Sequence, residues 1–139
     1  MKKVISLLVV LALFATLPAC SNNLTEKSDI IFLYQKNEEI FLLAAENGDY
    51  SAVEGIKGVQ KVLIWDAYID IRCGGAGFGP STHYYGIFYS ADDILCAIDV
   101  AGHKLIEHGD GYLYQEGSGD NRFYVESLGN HFYYYEAHF

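Results

Sequence analysis

The chain has 139 residues, with nine Lys and Arg against eighteen Asp and Glu and a formal net charge of −9. That length suits one domain with one core. That charge repels a nucleic-acid backbone and anionic lipid head groups, so neither is expected as a surface partner, whereas a basic protein is attracted.

The chain opens on Lys2 and Lys3, followed by a stretch from Val4 to Leu17 that is apolar apart from Ser6 and Thr16. A basic start and a short apolar run read as a secretory signal, too short for a comfortable membrane span. It ends in "LPAC", Leu17 to Cys20. This ending resembles the lipobox of bacterial lipoproteins: a leucine, two small residues and a cysteine, with Pro18 departing from the usual small residue. The resemblance implies cleavage before Cys20, which then carries a diacylglycerol thioether and an N-acyl chain. Two or three acyl chains hold a protein on a membrane where one does not. The alternatives are a soluble secreted chain cut after Ala19 and an uncleaved transmembrane anchor. The expected organisation is a signal over 1–19, a lipidated polar tether over 20–28 and a single domain over 29–139. The expected location is the cell envelope. Ser21 after the cysteine resembles the outer-membrane signal, which places the protein on the outer membrane, facing the periplasm, if the host has two membranes. Without Lys2 and Lys3, seven Lys and Arg face eighteen Asp and Glu, a net charge of −11.

"IFLY", ending at Tyr34, fits a short strand or the entry to a helix. Lys36 to Asp49 is rich in helix formers, with Glu38 and Glu39 near its positive end. Ile40, Leu43 and Ala44 are expected on its inner face, and Gly48 as its stop. "SAVE", Ser51 to Glu54, matches a capping box and begins a very short second helix. "AAENGDYSAV" is similar to an ankyrin repeat, but no second copy follows, so that reading is rejected. From Val59 the period changes to that of strands. "VQKVLIW" is one strand. "DAYIDIRC" alternates, with Ala67, Ile69, Ile71 and Cys73 facing one way and Asp66, Tyr68, Asp70 and Arg72 the other. Gly74 to Ser81 is expected as a glycine-rich loop, Tyr84 to Ser90 as an aromatic strand, and Ile94 to Val100 as the next strand. Turns at Ala101–Gly102, Asp110–Gly111, "GSGDN" and "LGN" divide the remainder into "HKLIEH", "YLYQE", "RFYVES" and a closing "HFYYYEAHF". The predicted class is α+β, with one or two N-terminal helices packed on a mostly antiparallel sheet of about six strands.

With Cys20 lipidated, Cys73 and Cys96 remain as a pair that an exported compartment permits to bridge, for about 3 kcal/mol of stabilisation. Two buried free thiols are the alternative. No CxxC is present, and no histidine clusters with a cysteine, so neither a redox pair nor a zinc site is expected. The glycine stretch lacks the lysine of a P-loop and the following helix of a dinucleotide loop. Ser81, His83 and Asp92 do not make a nucleophile elbow. Asp92 and Asp93 are read as turn residues, since a calcium loop needs more oxygen ligands at regular spacing. No cofactor or metal is expected.

Twelve tyrosines offer a binding surface, with Phe78, Tyr84, Tyr85, Tyr89, Tyr133 and Tyr135 as candidates for protein contact or stacking on cell-wall glycan. The alternative is that aromatic pairs simply stabilise the sheet. Three functions compete. The first is a non-enzymatic, lipid-anchored envelope protein that binds a protein, as an inhibitor or immunity-type factor. The second is a structural envelope lipoprotein. The third is a small hydrolase. For the third, His103 and His108 bracket Glu107, and Glu136 and His138 share a strand face, a geometry suited to proton relay.

Overall fold

The computed structural model describes residues 23–78, 81–95 and 104–139. Two helices, α1 (Lys27–Asn47) and α2 (Ser51–Glu54), precede seven strands: β1 (Lys61–Ile64), β2 (Ile69–Phe78), β3 (Ser81–Tyr89), β4 (Ile106–His108), β5 (Gly111–Gln115), β6 (Arg122–Gly129) and β7 (Phe132–His138). The strands form one sheet in the order β1-β2-β3-β7-β6-β5-β4, every pair antiparallel. The fold is α+β, as the sequence predicts. Two meanders, β1–β3 and β4–β7, are joined along β3 and β7.

Of its two expected readings "IFLY" takes the helical one, so the helix starts at Lys27, ahead of Lys36. Ile30, Leu33, Tyr34, Phe41 and Ala44 make its buried stripe, while Leu43 is exposed. Asn37 falls in the middle of that stripe. Its side-chain amide donates to the Leu33 carbonyl at 2.8 Å, and its own backbone leaves helical geometry. A polar side chain bonding back one turn bends a helix in this way. Gly48 ends α1 in the left-handed conformation, with its N–H on the Ala44 carbonyl. The capping box at Ser51 does not form. Asp49 accepts from the Ser51 N–H instead, which holds the Asp49 carboxyl below its usual range.

The glycine stretch is not a loop. β2 continues to Phe78 and β3 resumes at Ser81, so most of it is hairpin. Gly74 is needed for a close approach. A Cβ there would lie 1.9 Å from the Leu24 carbonyl oxygen. The Leu24 N–H donates to the Cys73 carbonyl, and the Gly75 N–H donates to the Asn23 side chain. The expected tether is therefore docked on β2 from Asn23 onward. The predicted strand over Ile94–Val100 is not seen where it is described: Ile94 and Leu95 are irregular, and 96–100 lie outside the described residues.

The alternation read in β2 holds, but its second face is not solvent. Ile69, Ile71 and Cys73 pack with α1, together with Ile87, Tyr124, Phe132 and Tyr134. The opposite face carries a second cluster of Phe88, Phe123, Val125, Tyr133, Tyr135 and Ala137, against which Tyr68, Leu95 and Leu105 pack. Asp70 belongs to this layer and is fully buried. Its carboxylate accepts from Arg72 Nε at 2.9 Å and from the Tyr135 hydroxyl at 2.7 Å. Tyr135 reaches across β3 because Gly86 stands between them. A Cβ at Gly86 would meet the Tyr135 ring at 3.0 Å and the Ile71 carbonyl at 2.4 Å.

The expected disulfide is corrected. Cys73 is a free thiol, fully buried beneath α1, and burial pushes its pKa up to about 12. A thiol so protonated and enclosed is inert packing rather than a bridge partner. Cys20 and Cys96 lie outside the described residues. Among the described residues no helix is long and apolar enough to cross a membrane.

Candidate functional site

Antiparallel pairing places chemistry at the two ends of the sheet. At one end the β2–β3 hairpin, the β5–β6 hairpin and the C-terminus come together, because Ala76, His83, His138, Arg122 and Gln115 share one row across five strands. Here His83 Nδ1 meets His138 Nδ1 at 2.6 Å, the two rings edge to face. His138 Nε2 lies 4.0 Å from Glu136, too long for a hydrogen bond, and is buried without a partner, as is Arg122 Nε. Glu136 accepts from the Tyr134 hydroxyl at 2.8 Å, which raises the Tyr134 pKa on top of its burial. The expected Glu136–His138 face is therefore real, but both side chains are turned to internal partners. A shallow depression of about 290 Å³ beside them is lined by Lys27, His108, Gly109, Asp110, Arg122, Tyr124 and Glu136. That lining includes no serine, threonine or cysteine. Lys27 is tied to Glu126, which also accepts from the Tyr124 hydroxyl at 2.6 Å.

The His138 environment fixes a pH dependence. Burial, then the His83 ring, lowers the His138 pKa below the usual 6.5, with Glu136 opposing and Arg122 assisting. The unfolded chain then takes up this proton before the folded one. The contribution is complete above 6.5 and is lost as pH falls through the lower folded value. Thermal unfolding is expected to show stability declining as pH drops from 6.5, before the carboxylates titrate, and His138→Gln is expected to flatten that decline. An unchanged decline in the variant would place its origin elsewhere.

At the other end, Ile64, Ile69, Tyr89, Phe132 and Gly129 share a row, so the β1–β2 turn, the segment after β3 and the β6–β7 turn are neighbours. Three large apolar side chains are exposed there: Ile64 at 66%, Trp65 at 52% and Ile94 at 50%. Asp66, Asp92 and Asp93 stand beside them in sequence, all exposed. The loops are fixed rather than loose. Trp65 N–H donates to the Tyr68 carbonyl, Ser90 N–H to His131, and Ile94 N–H to the Ser90 hydroxyl. Asp93 accepts from the Tyr133 hydroxyl and lies 2.8 Å from His131 Nδ1; these bonds hold its carboxyl below the usual range. The non-glycine residues with left-handed backbone among those described, Asp93, Asn130 and His131, all lie at this end. Backbone strain of that kind persists only where the surroundings enforce it.

The residues singled out from sequence separate between these regions. Phe78 is 95% exposed at the β2–β3 tip. Tyr84, Tyr85 and Tyr89 are half-buried, and Tyr133 and Tyr135 are buried in the second layer, so the six do not form one contact surface. Ser81 begins β3 and Asp92 lies beyond its far end, which dissolves any triad with His83. Glu107 and His108 are on the outer strand β4, and His103 lies outside the described residues. Among the described residues no three His, Cys, Asp or Glu side chains are placed to hold a metal ion. Sequence reasoning missed the exposed Ile64, Trp65 and Ile94. Its only signal was "VLIWD", an apolar run ending in a tryptophan just before a turn.

No family model matches the chain, and no curated protein or solved structure is significantly similar to it.

Proposed function

We propose that the chain is a lipid-anchored protein of the cell envelope that binds a basic protein through the end of its sheet carrying Trp65. The observation that carries this reading is the exposure of Ile64 at the end of β1 and of Trp65 and Ile94 on the fixed loops that follow β1 and β3, next in sequence to Asp66, Asp92 and Asp93. Exposed apolar groups rimmed by charge mark contact sites, and tryptophan is among the side chains that most often dominate them. The carboxylates, together with the net charge of −11 after the signal, draw a cationic partner and speed its encounter. The anchor rests on the lipobox-like "LPAC". Asn23, three residues after Cys20, is held on β2 beside Gly75, while Trp65 lies beyond the other end of that strand. An anchored domain so arranged presents its acidic, apolar end away from the attachment point. The role is non-enzymatic.

A photoreactive amino acid placed at Trp65 in the full precursor, expressed in its own host, tests this. The expected result is a crosslink to a basic envelope protein from position 65 and none from the exposed Leu43 on α1. No adduct at 65, or the same adducts from both positions, would overturn the reading.

A further inference from the structure

The β2–β3 hairpin ends on the most exposed large apolar side chain described, Phe78. Phe78 pairs with Ser81 in the ladder, but its ring belongs to neither core cluster. Its own hairpin differs in composition from the rest of an acidic protein. Between Asp70 and Asp92 the sequence holds no aspartate or glutamate, and none stands between Cys20 and Glu26. The two acid-free segments are also joined in space. Leu24 N–H is on Cys73, and the Asn23 side chain is on Gly75, so walking from Leu24 back to Asn23 moves along β2 towards Phe78. Cys20 lies three residues before Asn23, a reach of about 10 Å at full extension. Phe78 lies three residues beyond Gly75, also about 10 Å along a strand.

We propose that the β2–β3 tip is a membrane-contact element: Phe78 enters the lipid interface beside the acyl chains on Cys20 and sets the domain upright on the bilayer. This rests on the lipid-anchor reading above. An aromatic ring at the head-group boundary is a recognised interfacial anchor. A three-residue link cannot hold the domain far from the membrane, so the nearest exposed apolar group meets the lipid. Insertion there also points the Trp65 end outward.

The test uses the processed protein purified from membranes and reconstituted in vesicles of phosphatidylcholine and phosphatidylglycerol with brominated acyl chains. Trp65 is the one tryptophan of the sequence, so the natural chain reports on the far end. A Phe78→Trp change on a Trp65→Phe background reports on the tip. The expected result is emission shifted to the blue and quenched by bromine for the tip reporter, with Trp65 in the natural chain unquenched. A tip reporter that stays unquenched on an acylated, vesicle-bound protein would overturn the proposal alone. A mature chain without acyl groups would overturn both this proposal and the anchor on which it rests.

Discussion

Replacing Asp70 with alanine is expected to destabilise the fold by about 3 kcal/mol, the lower end of the range for removing one partner of a buried ion pair. Asp70 is fully buried, and its two oxygens take the Arg72 guanidinium and the Tyr135 hydroxyl. Alanine leaves both donors without their acceptor inside an aromatic layer. Arg72 softens the loss, because its side chain keeps 26% exposure and stacks on the Tyr84 ring at 4.3 Å. Asp70→Asn loses less, since its amide oxygen still accepts from Tyr135. Tyr135→Phe removes one bond to a charged group, about 1.5–3 kcal/mol. Urea unfolding measures all three, with an unchanged slope as the sign that stability alone has moved. An Asp70→Ala protein within about 0.5 kcal/mol of the parent would show that the network is surface-like.

Gly74→Ala is expected to release the segment before α1. The new Cβ would sit on the Leu24 carbonyl, so either that segment leaves β2 or the strand distorts. Departure loses the Leu24–Cys73 and Asn23–Gly75 hydrogen bonds and exposes Leu24, which packs against the helix-side core. Two bonds at about 1 kcal/mol each, with part of a leucine side chain, total about 3 kcal/mol. Hydrogen exchange at the Leu24 amide separates the two responses. Protection is lost if the segment lifts, and the rest of the sheet stays protected. A Leu24 amide and a β2 strand both as protected as in the parent, with stability unchanged, would contradict the docked geometry.

What was legible in the sequence was local. Gly48 as a helix stop, the alternation of Ile69, Ile71 and Cys73, and the turns around Asp110 and "GSGDN" depend on neighbours a few residues apart. What was not legible depends on pairing at long range. The β3–β7 ladder brings His83 onto His138, 55 residues away, and no period in either strand announces it. The same ladder buries Tyr133 and Tyr135. Alternation separates their face from that of Tyr134, and only a covering layer with Leu95 and Leu105 makes both faces interior. Gly74 read as a loop residue because its partner, the Leu24 carbonyl, is fifty residues earlier in the chain. Cys73 read as half of a bridge because spacing and compartment carry no information about which face of β2 lies under a helix. The inner face of α1 was misplaced at Leu43 because a polar residue, Asn37, interrupts the true stripe.

The proposed attachment of this domain to a membrane through Cys20 can be tested without a partner in hand. The most direct measurement is the intact mass of the mature chain recovered from the membrane fraction, with and without reductant. Residues 1–19 are expected to be absent, the mass to exceed that of the remaining chain by the acyl groups on Cys20, and reduction to change nothing. An unmodified chain in the soluble fraction would contradict it.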